Sequence, residues 1–90
     1  MVALHRMVDD KVEALEFRAA ANTWYLGVPL HDIPLKPNVL IAIISHQGKV
    51  TIPRGGDSFQ EGDSVVLVTA ADRKFGDLND IFQTPPHNDR

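Results

Sequence analysis

Leu35-Lys36-Pro37-Asn38-Val39-Leu40-Ile41-Ala42-Ile43-Ile44-Ser45-His46-Gln47-Gly48-Lys49-Val50-Thr51-Ile52-Pro53 is the stretch that decides the fold. Its six-residue apolar run from Val39 to Ile44, the longest in the chain, is rich in β-branched residues. A run of that length is too short for an isolated helix and suits a strand covered on both faces. Beyond Gly48, Val50 and Ile52 alternate with Lys49 and Thr51, as in a half-exposed strand. The Gly-containing turn between the runs predicts a β-hairpin. Gln47 is a poor first residue for a primed two-residue turn, so the expected geometry is a type I turn with Gly48 in the left-handed bulge position.

Outward from the hairpin, Val12 to Ala19 alternates, with Leu15 and Phe17 on one face and Glu16 and Arg18 on the other, which predicts a strand. Residues 24–35 contain Pro29 and Pro34 and cannot form a continuous helix or a central strand. Pro29 suits the first turn of a short helix placing Leu30 and Ile33 on one side, and Pro34 ends it. This irregular stretch is dense in apolar anchors: Trp24, Leu26, Val28, Leu30, Ile33 and Leu35. It covers the sheet, and Leu26, Val28, Leu30, Ile33 and Leu35 are also the candidates for a homodimer interface.

On the other side, Pro53-Arg54-Gly55-Gly56-Asp57 breaks the hairpin, Phe59 is placed to plug the core from a loop, and residues 64–69 form a second apolar strand. Thr69-Ala70-Ala71-Asp72 reads as a capping box ahead of a helix carrying Phe75, Leu78 and Ile81 or Phe82 on one face. Gly76 weakens that helix by about 1 kcal/mol relative to Ala. Residues 1–10 place Ala3, Leu4, Met7 and Val8 on one side of a helix, as either the tail of a longer polypeptide or an expression remnant would. The expected domain therefore covers residues 12–83, between a linker or tail at 1–11 and a disordered tail at 84–90. Its fold class is α+β: a small mixed or antiparallel sheet in a two-layer arrangement of strand, irregular segment, hairpin, strand and helix.

Ninety residues with a net charge of −3 and 43% hydrophobic content specify one small domain able to build a core. The absence of cysteine excludes disulfides and thiolate metal sites and favours a reducing, cytoplasmic setting. The nine basic residues are scattered, which argues against nucleic acid as a partner. His5, His31, His46 and His87 lie far apart without metal-ligand spacing. Ser45, Ser58 and Ser64 lack a nucleophile elbow, so no catalytic residue is assigned and the chain is not read as an enzyme. Arg54, in its Gly-rich turn, is the best single candidate for an anionic ligand.

The residues now resemble a known pattern. Leu15-Glu16-Phe17, then Gly27-Val28-Pro29-Leu30-x-Asp32-Ile33-x-Leu35-Lys36-x-Asn38-Val39-Leu40-Ile41-Ala42, is similar to the opening of a TrkA C-terminal (RCK-C) domain. Gly48-Lys49-Val50-x-Ile52-Pro53-Arg54-Gly55-x-Asp57 and Gly62-Asp63-x-Val65-x-Leu67-Val68 continue the pattern, and the resemblance covers residues 12–82. It implies a non-catalytic regulatory domain, a homodimer, that follows a nucleotide-binding RCK-N domain in its parent chain. Such a chain acts on a membrane potassium channel or transporter subunit, so this domain would lie at the cytoplasmic face of the cell membrane. The Gly-x-Gly-x-x-Gly fingerprint is absent, so NAD or ATP would belong to the RCK-N domain and no cofactor is assigned to this chain. Some such domains bind cyclic di-AMP at the dimer interface, near the segment matching Leu30 to Ile43, where they carry a basic and an amide side chain, and this chain offers Lys36 and Asn38 there. The remainder of that segment is apolar here, which argues against cyclic dinucleotide binding. Lys36, Asn38 and Arg54 are the candidate ligand residues. The rival expectation is a small-molecule or peptide-binding β module unrelated to ion transport.

Overall fold

The computed structural model describes residues 1–86. Five strands, β1 (Ala3–Met7), β2 (Val12–Arg18), β3 (Val39–His46), β4 (Lys49–Thr51) and β5 (Ser64–Ala70), form one sheet in the order β1-β2-β5-β3-β4, every pair antiparallel. The apolar β3 and β5 lie inside the sheet, and the more polar β1 and β4 form its edges, where exposed backbone tolerates charge. The hairpin expected from the sequence is β3–β4, with His46 paired to Lys49 across a two-residue turn.

That turn corrects one expectation. Gln47 and Gly48 both have positive φ, 49° and 81°, so the loop is a primed turn matching the twist of its strands, rather than a type I turn with a bulge. Gln47 bears the cost of a left-handed backbone that Asn tolerates better. Gln47→Asn is accordingly expected to raise the thermal midpoint by about 2–4 °C, or roughly 0.5 kcal/mol, in a circular dichroism melt.

The segment read as a helical tail or linker also differs: residues 3–7 form edge strand β1, which runs antiparallel to β2 with Leu4 opposite Leu15. Its connection to β2 places Val8, Asp9 and Asp10 all at positive φ, closed by a hydrogen bond from the Lys11 N–H to the Val8 carbonyl (3.0 Å).

The predicted helix beyond residue 72 does not form. Phe75, Leu78, Ile81 and Phe82 are all buried as expected, but the only helical turn there is the 3-10 turn Leu78–Ile81. The Asp80 carboxylate accepts the backbone N–H groups of Gly76 and Asp77, each at 3.0 Å. Short acidic side chains that bond nearby backbone compete with helix, and Gly76 removes the remaining propensity. Phe82 is instead extended and bridges Leu35, with the Lys36 N–H donating to the Ile81 carbonyl and the Gln83 N–H to the Pro34 carbonyl, both at 2.8 Å. Among the described residues, the α layer of the expected α+β fold is thereby reduced to two single 3-10 turns, Leu30–Asp32 and Leu78–Ile81. Of the expected tail at 84–90, the Thr84 carbonyl accepts the Tyr25 hydroxyl (2.9 Å), and residues 87–90, with His87, lie outside the described residues.

Both irregular segments cover the same side of the sheet. Leu15 and Phe17 of β2, Val65 and Leu67 of β5, and Ile41 and Ile44 of β3 face Ile33, Phe59, Phe75, Leu78, Ile81 and Phe82. Phe59 and Ile81 are fully buried. Ile41 and Ile44 are three apart, which simple alternation forbids. A β-bulge at Ala42, where the register steps from Ile41–Leu67 to Ile43–Val66, turns both inward.

Candidate functional site

Three regions of the surface are shaped by their neighbours into something specific. The first is the outer face of the sheet, which no element among the described residues covers. The register places Leu40, Ile43, Val66, Val68, Ala14 and Val50 on it, with Met7 and Val12 towards the β1 edge. Leu40 is 60% exposed and Val50 66%, and Ile52, just past β4, is 80% exposed. The expectation that β3 is covered on both faces therefore holds for one face only. Charge enters this surface on β2, through Glu16 and Arg18, one of each sign on the same side of one strand.

The second is the tie between the hairpin and the turn before β5. Asp63 is buried; its carboxylate pairs with His46 Nδ1 through one oxygen and accepts the Gln60 N–H (2.8 Å) through the other. Its backbone carbonyl also accepts the Ala19 N–H at 2.8 Å. One carboxylate thus fastens β3 to the loop that inserts Phe59. A buried charge that loses its polar partners is expensive, and so is a turn that loses its acceptor. Asp63→Ala is expected to cost about 2–3 kcal/mol in urea unfolding, with Asp63→Asn, which retains an acceptor for Gln60, costing less.

The third is a groove of about 320 Å³ between β1, β2 and the segment that follows β5. Leu4, Leu15 and Phe75 line it, together with Arg6, Arg73 and Lys74. Glu13 also lines it, buried and accepting from Arg6 Nε at 3.2 Å.

Lys36 is tied by its backbone to Ile81, and its ammonium lies 5.9 Å from the centre of the Phe75 ring, in range of a cation–π contact. Asn38 has φ 64°, a left-handed position at the entry to β3 where its residue type is favoured on backbone grounds alone. Arg54 opens a turn in which its N–H donates to the Asp57 carboxylate (2.8 Å), and that loop docks on the Leu30–Asp32 turn through Leu30 N–H to Asp57 and His31 N–H to Gly55. Lys36 and Arg54 thus answer to different neighbours. Ile33 is core, and Leu26, Val28, Leu30 and Leu35 are half-buried against it. Trp24 and Tyr25 pack against Phe82 with tilted rings, 6.1 and 4.9 Å between ring centres, so the 24–35 stretch is fastened to the C-terminal turn. Among the described residues no group of three or more His, Cys, Asp or Glu side chains is arranged to hold a metal ion, and no helix is long and apolar enough to cross a membrane.

Sequence reading missed Glu13, Arg6, Arg73 and Lys74 as a group. Glu13 shares parity with Leu15 and Phe17, so alternation alone marks it as a carboxylate on the buried face. Nothing in the sequence brings Arg6 beside it until β1 is known to be a strand.

Comparison with known proteins bears on this geometry. Over 65 residues the chain is 31% identical to the Trk system potassium uptake protein TrkA homolog 2 of Methanosarcina mazei, a stretch covering 72% of this chain and 14% of that protein. Over 59 residues it is 36% identical to the Trk system potassium uptake protein TrkA homolog of Archaeoglobus fulgidus, covering 66% of this chain and 14% of that one. The chain thus aligns with only a small part of either relative's length. The TrkA-C domain family matches residues 14–78, from within β2 to the start of the last 3-10 turn, and leaves β1 outside. With most of β2, all of β3, β4 and β5, and the covering segments as far as Leu78 inside that match, the chain belongs to the TrkA-C domain family.

Proposed function

We propose that this chain is a non-catalytic regulatory and dimerisation domain of a cytosolic subunit controlling a potassium transport system. Family membership and the potassium uptake named for both relatives support the transport reading. In this reading an RCK-N domain of the parent chain holds any NAD or ATP, and the assembly docks on a membrane channel or transporter subunit from the cytoplasmic side. The domain contributes a surface whose pairing geometry a ligand or partner biases, by its differential affinity for two arrangements.

The observation that carries the dimerisation reading is the open apolar face of the sheet. Exposed contiguous apolar surface is costly to leave in water and marks an interaction site. In this reading the occupant is a second copy of this chain: the face is apolar at its centre and carries one charge of each sign, Glu16 and Arg18, on one strand, a pattern that a two-fold pairing of copies would make self-complementary. The apolar residues of the 24–35 stretch serve a different purpose in this account, as the cover of the opposite face. Sedimentation equilibrium of the chain across micromolar concentrations is expected to resolve a dimer. A strict monomer throughout that range contradicts the dimerisation reading.

A further inference from the structure

We infer that the groove between β1, β2 and residues 71–76 is a binding site for a small organic anion, a carboxylate or phosphate head on an apolar body. Its volume of about 320 Å³ admits a molecule of that size, and Leu15 and Phe75, both nearly buried, give it an apolar floor beside Leu4. Three cations stand around that floor in a chain whose net charge is −3. Arg6 already answers Glu13 through Nε at 3.2 Å, which leaves its terminal guanidinium nitrogens as donors. Arg73 and Lys74 make no ion pair among the described residues. Among the groove's lining side chains one carboxylate, Glu13, faces three cations, while the neighbouring Asp80 carboxylate is engaged by the Gly76 and Asp77 N–H groups; a guanidinium fork beside an ammonium suits carboxylate or phosphate.

The site also has a mechanical consequence. Arg6 belongs to edge strand β1, which lies outside the family match, whereas Arg73 and Lys74 belong to the segment leaving β5. An anion bridging the two fastens β1 to the rest of the domain. This gives the regulatory reading a ligand class, and rests on it only for that consequence; binding itself is measured independently of dimerisation.

The test uses the whole chain with octanoate as probe, and octylammonium and inorganic phosphate as separate arms. Octanoate is expected to bind saturably, to shift the backbone amides of Arg6, Glu13, Arg73 and Phe75 in a nitrogen–proton correlation spectrum, and to slow amide exchange in β1. Octylammonium is expected to leave those amides unmoved, and phosphate to act far more weakly than octanoate. The double variant Arg73→Glu/Lys74→Glu, at side chains outside the core, is expected to weaken octanoate binding at least tenfold while its thermal midpoint stays close to that of the parent. Absence of saturable binding, shifts confined to the outer face around Leu40 and Val50, equal binding of octylammonium, or affinity indifferent to the double charge reversal would each overturn the proposal.

Discussion

Phe59→Ala is expected to lower the thermal midpoint by about 15 °C or more and to leave much of the population unfolded at physiological temperature. The ring is fully buried, yet it comes from a loop rather than a strand, so no regular ladder holds the backbone once the ring is gone. Phe→Ala truncation in a core costs about 3–5 kcal/mol, and a domain of this size has a total stability towards the lower part of the 5–15 kcal/mol range. The loop's remaining ties are polar: the Gly27 N–H to the Phe59 carbonyl (2.8 Å), the backbone bonds of Gly62 and Asp63 with Ala19, the Asp63 carboxylate with the Gln60 N–H and His46, and the contacts of residues 55–57 with the Leu30–Asp32 turn. Losing the ring therefore also releases the cover over β5. A melt showing a shift of only a few degrees would mean that the loop is an accessory and the core is complete without it.

The second large effect concerns the two apolar surfaces of the chain, which respond oppositely to a charge. Leu40→Asp, on the outer face, is expected to leave the circular dichroism spectrum and thermal midpoint of the monomer nearly unchanged and to weaken self-association by at least a hundredfold. The side chain is already 60% exposed in the single chain, so the monomer loses little, whereas a desolvated carboxylate facing its own copy across a two-fold axis is repelled twice. Leu30→Asp is expected to do the reverse, lowering stability by about 1–3 kcal/mol, because Leu30 is half-buried against the core and its N–H closes on the Asp57 carbonyl at 2.9 Å. Dissociation by Leu30→Asp with the fold intact would restore the 24–35 stretch as the dimer surface.

Much of this architecture is legible in the chain. The alternation of Leu15 and Phe17, the β-branched runs of β3 and β5, the turn at Gln47-Gly48, the single turn after Pro29 and the buried Phe59 all follow from period, propensity and punctuation. What escaped has identifiable causes. Spacing of Phe75, Leu78 and Ile81 marks burial correctly but cannot separate a helix from a coil that docks the same side chains, and Asp80 decides between them by bonding two backbone N–H groups. In β1, Leu4 and Met7 fit a helical face as well as a strand, and only the pairing with β2 settles which. The bulge at Ala42 leaves no mark on a run where every residue is apolar, although it decides that Ile41 and Ile44 point inward and Leu40 outward. For the candidate sites, Lys36, Asn38 and Arg54 were legible as unusual residues, whereas the Arg6, Glu13, Arg73 and Lys74 grouping depends on strand pairing across distant parts of the chain.

If a second copy seats on the outer face of the sheet, isotope-filtered NMR on a mixture of labelled and unlabelled chains is expected to show intermolecular contacts from the methyl groups of Leu40, Ile43, Val50, Val66 and Val68. Intermolecular contacts arising from Leu26, Val28, Leu30 and Leu35, or none at concentrations where the chain is dimeric by sedimentation, would contradict it.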